Sequence, residues 1–314
     1  MNSIYIKTVF SILFMVAGFQ ALAQRDAMYT HYMYNTQVVN PAYVGSRQAF
    51  TVTALHRSQW ASYFPGNPVT QSLTLHSPLR NENIGLGLAF YNDELGPERT
   101  TALNADFSYS VRLTEASKLS FGLKGGVRMH SINLMDLAAV QPDDPAIMNN
   151  YESIWLPNFG FGAYYSRERF YAGFSIPALM EENFLDNTVN SGARYALLQR
   201  HYYFIAGTIF PLTNDVSFKP TTLVKMTKGA PVELDFTASF YFYDRFSLGA
   251  MFRTEDAVGA MVGLRITDQW SLGYSYDWSI LNRIPNNNFG THEVFLRYDF
   301  IFLESHRVKS PRHF

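Results

Sequence analysis

The side chains that could do chemistry are many, but they fall in no catalytic pattern. Eight histidines, at 31, 56, 76, 130, 201, 292, 306 and 313, are dispersed, and no His-Glu-x-x-His zinc helix is present. No G-x-S-x-G turn offers a serine nucleophile. Cysteine is absent, which removes disulfides, thiolate metal sites and a cysteine nucleophile. Gly85-Leu86-Gly87 and Gly160-Phe161-Gly162 lack the further glycine and helix of a dinucleotide-binding loop, so they read as strand glycines that relieve crowding. Asp143-Asp144 with Asn149 and Asn150 offer oxygen ligands, but their spacing matches turn chemistry better than a calcium loop. The expectation is a protein that is not an enzyme and needs neither cofactor nor metal. What remains is a set of charged residues inside apolar stretches: Lys124, Arg128, Arg253, Asp277, Glu293 and Arg297. Both signs are present, so the set suits polar contacts better than an anion-selective pore.

These charges sit where they do because the surrounding stretches alternate. Leu119, Phe121, Leu123, Val127 and Met129 interleave with Ser120, Gly122, Lys124, Gly126, Arg128 and His130. Trp270, Leu272, Tyr274, Tyr276 and Trp278 alternate with Ser271, Gly273, Ser275, Asp277 and Ser279. Period two means strands with one apolar and one polar face. About fourteen such segments follow one another, near 46–56, 69–77, 83–92, 99–113, 118–132, 158–165, 169–176, 201–211, 216–226, 231–242, 245–253, 258–266, 270–279 and 291–302. Alternate connections are tight and polar, as at 80–82, 114–117, 166–168, 212–215, 243–244 and 267–269. Longer ones fall between them, at 58–68, 133–157, 178–200 and 280–290. They carry aromatic residues that could anchor a partner: Trp60, Tyr63, Phe64, Tyr151, Trp155, Phe184 and Phe289.

Composition says which solvent the apolar faces meet. The chain is 47% hydrophobic and only 16% charged, with a formal net charge of −1. Disorder is excluded by the hydrophobicity, and a nucleic-acid partner by the lack of basic excess. Twenty Tyr and 26 Phe favour strands. A soluble sandwich would have to bury all these aromatic faces against one another and would carry more surface charge. Short turns on one side and long loops on the other fit an all-β, antiparallel outer-membrane β-barrel with short periplasmic turns and longer extracellular loops. Its outer face would meet membrane lipid, with Trp270, Tyr276 and Trp278 in the interfacial girdles. Lys7, the apolar stretch 9–19 and Ala21-Leu22-Ala23 read as a Sec signal peptide with a small-x-small cut. The organisation expected is a signal peptide at 1–23, a periplasmic segment or internal plug at 24–45, the barrel at 46–303 and a periplasmic tail at 304–314, in the outer membrane of a Gram-negative bacterium.

Several blocks carry a family likeness. Tyr29-Thr30-His31-Tyr32-Met33-Tyr34-Asn35, then Asn40-Pro41-Ala42-Tyr43-Val44-Gly45-Ser46, closely resemble the opening of mature PorP/SprF-family proteins of the Bacteroidota type IX secretion and gliding systems. The resemblance continues through His56-Arg57-Ser58-Gln59-Trp60, His76-Ser77-Pro78-Leu79, Gly85-Leu86-Gly87 and Asn92-Asp93-Glu94-Leu95-Gly96-Pro97. Further blocks are Phe252-Arg253, Gly273-Tyr274-Ser275-Tyr276-Asp277, Gly290-Thr291-His292-Glu293 and the tail Ser310-Pro311-Arg312-His313-Phe314. The resemblance implies a non-enzymatic barrel working with the secretion machinery. Some members of the family partner large secreted adhesins by capturing a C-terminal sorting domain. Others link the outer membrane to the periplasmic ring and its peptidoglycan-binding partner. The residues favour the first branch, with a wet lumen of mixed charge receiving the partner. The alternatives are the second branch or a passive small-molecule or fatty-acid channel.

Overall fold

An alternating strand presents one apolar and one polar face, and a closed antiparallel barrel satisfies both when lipid lies outside. That is how this chain folds. The computed structural model describes residues 28–47, 49–61, 66–133, 151–185, 194–254, 256–280 and 289–300. Its strands are β1 (Phe50–Ser58), β2 (Val69–Pro78), β3 (Ile84–Leu95), β4 (Glu98–Thr114), β5 (Ser117–Ile132), β6 (Tyr151–Arg167) and β7 (Phe170–Ile176). A separate hairpin, β8 (Glu182–Leu185) with β9 (Arg194–Leu198), interrupts the series. The wall resumes with β10 (His201–Thr208), its short continuation β11 (Phe210–Pro211), β12 (Val216–Thr227) and β13 (Glu233–Phe242). It ends with β14 (Phe246–Arg253), β15 (Ala257–Arg265), β16 (Trp270–Ser279) and β17 (Thr291–Phe300). Each stave pairs antiparallel with its sequence neighbour; β10 spans the gap to both β7 and β12, and β1 pairs with β17 from Phe50↔Phe300 to Ser58↔His292. With β10 and β11 counted as one stave, the result is a closed barrel of fourteen.

The pleat sorts side chains by solvent. On β5, Phe121, Leu123 and Val127 face outward while Ser120, Lys124 and His130 are buried inside. The outward set is apolar all round, and Leu123 (59% exposed), Leu103 (54%) and Trp278 (64%) would be left in water if the wall did not face lipid. Trp270 and Trp278 stand near opposite ends of β16, about 26 Å apart along the strand at ~3.3 Å per residue, as two aromatic girdles require. Among the described residues no helix is long and apolar enough to cross a membrane. A membrane-crossing strand needs about 9–11 residues. β4, β5 and β6, with 17, 16 and 17 residues, therefore project beyond the lipid.

The connections sort by length as expected at one end. The turns from Pro78 to Ile84, Thr114 to Ser117, Arg167 to Phe170, Pro211 to Val216, Phe242 to Phe246 and Arg265 to Trp270 all lie there. Tyr243 and Asp244 both take φ +53°, the left-handed pair that a type I′ hairpin demands. The other end is more mixed. β3 and β4 run on until only Gly96-Pro97 joins them, and β12 to β13 and β14 to β15 are also joined by short connections there. β6 starts at Tyr151, so the long connection is shorter than 133–157, and Trp155 lies in a strand rather than a loop. The proposed tail at 304–314 and the leader at 1–23 lie outside the described residues.

Candidate functional site

The barrel interior is filled by the chain itself. Residues 28–45 precede β1 and run inside the wall, and between Tyr29 and Val44 only Tyr34 and Val38 are less than fully buried. The segment holds one four-residue helix, α1 (Thr36–Val39), and a 3₁₀ turn, Pro41–Tyr43. Its local fold follows from its residues. The Asn40 carboxamide oxygen accepts from Ala42 N–H at 2.9 Å and caps the 3₁₀ turn, while Pro41 supplies the first-turn φ and lacks the N–H that would go unpaired. The same Asn40 donates from Nδ2 to Ala163 O of β6 (3.0 Å) and Phe174 O of β7 (3.4 Å). One amide thus shapes the segment and fastens it. Gly45, at φ +78°, turns the chain out of the interior, a conformation that costs glycine nothing.

The wall is cut to receive it. A Cβ at Gly122 would collide with the Pro41–Ala42 backbone, at Gly162 with Asn40 Oδ1, and at Gly85 with Val44 O. Strand glycines that relieve crowding are thus, at these places, the sites of closest backbone approach.

Hydrogen bonds then reach most of the wall. At the long-loop end, a cluster joins the segment to β1, β16 and β17. Arg57 Nη1 donates to Asp277 Oδ2 (2.8 Å), Glu293 Oε2 (3.1 Å) and Thr30 Oγ1 (2.8 Å). Thr30 Oγ1 donates on to Asp277 Oδ2 at 2.6 Å. The Thr30 and His31 backbone N–H groups donate to the two Glu293 oxygens at 2.9 and 2.7 Å, and His31 Nδ1 lies 2.8 Å from Oε1. Arg57 is 2% exposed and Glu293 1%, so each charge depends on the others for the solvation that water would supply. Farther in, the Tyr32 hydroxyl meets Thr221 Oγ1 at 3.0 Å and the Tyr34 hydroxyl meets Tyr241 at 2.6 Å. Asn35 donates to Ser72, and Gln37 donates to Leu75 O, Leu88 O and Asp106. Ser175 and Ser108 donate to the Val39 and Val44 carbonyls at 2.6 Å each. At the short-turn end Arg47 grips Asp299 through Nε and Nη2, at 3.2 and 2.8 Å. The cavities lined by both segment and wall include ones of about 30 and 60 Å3, room for a few water molecules.

The six charges singled out in the sequence all face inward, and the structure places them against the chain's own groups. Lys124 donates to Val38 O (3.3 Å) and Gln37 O (3.5 Å) and lies 3.5 Å from Asp106. Arg128 sits 5.8 Å from the centre of the Tyr91 ring. Arg253 is wholly buried and holds Asp235 in a fork at 2.7 and 3.0 Å, with Asp256 at 3.1 Å. Asp277 and Glu293 belong to the Arg57 cluster. Arg297 lies 5.5 Å from the Tyr34 ring centre and 3.7 Å from Asp299. Of the two places expected for residues 24–45, the described part, from Met28 on, lies inside the barrel, and the six charges are engaged with the chain's own groups.

The loop aromatics scatter. Trp60 has a positive φ of 49° and donates its backbone N–H to Thr291. Phe289 is exposed beside it, joined through its backbone N–H to Ala61 O at 2.7 Å. Trp155 stands on the outer face of β6, 66% exposed toward lipid or headgroups rather than toward the mouth. Tyr151 and Phe184 lie in strands β6 and β8, and their side chains, like Tyr63 and Phe64, lie outside the described residues. Of the family-block residues, Asn40, Pro41, Tyr43 and Gly45 belong to the internal segment and Arg57 and Asp277 to its cluster. Asp93 accepts from Thr70 Oγ1, and Gly273 lies under the Phe295 ring. Tyr274 and Tyr276 face outward around His292. Sequence reasoning did not single out Thr30, His31, Tyr32 or Gln37 as contacts. Their signal was a run rich in hydrogen-bonding side chains, without period two, just before the first strand.

Solved structures resembling the chain include the Ralstonia pickettii toluene transporter TbuX (8% identity, 87% of this chain and 94% of that one, TM-score 0.49). The CymD monoaromatic hydrocarbon channel (10%, 90% and 95%, TM-score 0.49) and a Pseudomonas aeruginosa FadL homologue (10%, 86% and 94%, TM-score 0.47) are similar to the same degree. No curated protein matches the chain. The model of the family described as type IX secretion system membrane protein PorP/SprF matches residues 21–298, and the chain belongs to that family.

Proposed function

We propose that this protein is a non-enzymatic, non-conducting outer-membrane anchor that captures a secreted surface protein at its long-loop mouth. The observation that carries the reading is the internal segment, hydrogen-bonded to staves around the barrel and seated among glycines that make room for it. A barrel so filled is built to hold a surface in place rather than to pass solutes. Its longest connections, at 58–69, 132–151, 176–201 and 279–291, all leave the same end, where a partner delivered through the type IX system would arrive. The partner is a large adhesin recognised through its C-terminal sorting domain, and the periplasmic ring is the machinery on the other side. Affinity purification of the tagged protein from detergent-solubilised membranes tests this. Recovery of a very large surface protein is expected. Recovery of ring components and their peptidoglycan-binding partner alone would replace the anchor with a structural link to the ring.

A further inference from the structure

Arg57, Arg253 and Lys124 each meet carboxylates of their own: Asp277 and Glu293, Asp235 and Asp256, and Asp106. The short-turn end departs from this balance. There Arg47 and Arg297 share a single carboxylate, Asp299, at 2.8 and 3.7 Å. The same two arginines line a cavity of about 30 Å3 together with Arg245, Arg265 and Asp244. The lining and Asp299 behind it thus set four guanidiniums against two carboxylates. Arg297 is the most buried of the four, 5% exposed and three residues from the end of β17. A guanidinium carries five N–H donors. Among the described residues, Arg297 uses Nη2 toward Ser271 Oγ at 3.4 Å, and its buried Nε has no hydrogen-bond partner. Buried donors left unused cost free energy that an anion would return.

The shape selects the anion. The inner side of the cavity is aromatic: Tyr34 of the internal segment stacks on Phe295 at 4.5 Å between ring centres, with Arg297 5.5 Å from the Tyr34 ring. On the outer side Asp244 and Arg245 stand exposed in the turn between β13 and β14. Room for a few water molecules takes the three heavy atoms of a carboxylate but not the body that carries it. That body must lie outside, against Arg245 at the rim. The guanidinium fork matches the two oxygens of a carboxylate. A lipid headgroup would be on the wrong face of the wall. Ser247, Ser271 and Arg297 point inward with the cavity, while Phe246, Leu264 and Leu272 are exposed on the outer face. We propose that the short-turn mouth is a carboxylate-binding site, in which Arg47, Arg245, Arg265 and Arg297 take an acidic segment of a periplasmic polypeptide. The site stands on these arginines and not on the anchor function.

The test titrates the purified full-length protein in detergent with a fluorescein-labelled hexaglutamate peptide, and with its hexaglutamine counterpart, followed by anisotropy. The glutamate peptide should bind and the glutamine peptide should not. Arg297→Gln should weaken binding about tenfold, the effect of one lost charge-assisted contact. Arg245→Gln, whose side chain stands exposed in a turn and holds no packing, should do the same without touching the fold. Lys228→Gln, exposed at the opposite mouth, should bind like the wild type. Wild-type binding by both arginine variants would overturn the site, and so would an equal loss in Lys228→Gln, which marks unspecific attraction. Competition separates a peptide from a free anion. Acetate and inorganic phosphate should displace the labelled peptide only in large molar excess. Displacement by either at the peptide's own concentration would mean that the arginines take a free small anion, and the polypeptide partner would be overturned. None of these outcomes moves the anchor function, which recovery of the surface protein decides.

Discussion

At the scale of residues, the molecule turns on Arg57. Its guanidinium is buried among Asp277, Glu293 and Thr30, and a single nitrogen, Nη1, donates to all three. Removing one member of a buried ion cluster leaves the others charged and unsolvated, which costs about 3–5 kcal/mol. Arg57→Ala should therefore lower the temperature at which the folded band shifts on a heat-modifiability gel. Arg57→Lys should recover part of that loss, because an ammonium also gathers several donors on one nitrogen. A wild-type transition in Arg57→Ala would show that the cluster does not hold the segment. The sequence contained these residues but not their assembly. Arg57, Asp277 and Glu293 lie on strands that meet only where the barrel closes between β1 and β17, a contact between the two ends of the sheet that period two does not encode.

At the scale of elements, most of the wall was legible because each strand had to sort apolar from polar side chains between two solvents. What was missed lies at strand ends. Pro157 read as the end of a loop, yet it sits inside β6 opposite Val127 of β5. β7 pairs with β6 only from Phe161 onward, so at Pro157 the strand has one neighbour, and a missing N–H is tolerated there. The register of β5 can be tested by adjacent substitutions. Leu123→Arg puts a charge into lipid at about 2–4 kcal/mol near the midplane. On the premise of a watery lumen Lys124→Leu would cost far less, but Lys124 faces packed chain beside Asp106. Removing it leaves a buried carboxylate uncompensated, at about 3–5 kcal/mol. Both variants should thus be destabilised comparably by urea unfolding in detergent, and Asp106→Asn separates them. It should restore much of the stability of Lys124→Leu and none of that of Leu123→Arg, the non-additivity expected of a contacting pair. Equal responses to Asp106→Asn would show that the inside and outside of β5 are misassigned.

At the scale of the whole molecule, the decisive feature is that two structures of different kinds share one sequence: a wall with strict alternation and a filling with none. The filling was the harder part to read. Residues 28–45 have no periodicity to announce an element, and their hydrogen bonds go to partners tens to hundreds of residues away. The wall's inward charges suggested a wet lumen of mixed charge, whereas in the fold residues 28–45 lie against them. If that segment closes the barrel, the intact protein in a planar bilayer should show no steady current, and deletion of residues 29–44 should open a stable conductance. Because the deletion also strips partners from Glu293, Asp277 and Asp106, it risks losing the fold altogether. Gly162→Leu is the milder version: its side chain needs the space of the Asn40 carboxamide, so it should loosen the middle of the segment and leave the Arg57 cluster in place. Intermittent openings from Gly162→Leu against a silent wild type would mark the segment as the seal. A large steady current from the unaltered protein would instead mean that ions pass the segment freely, and the barrel would have to be read as a channel.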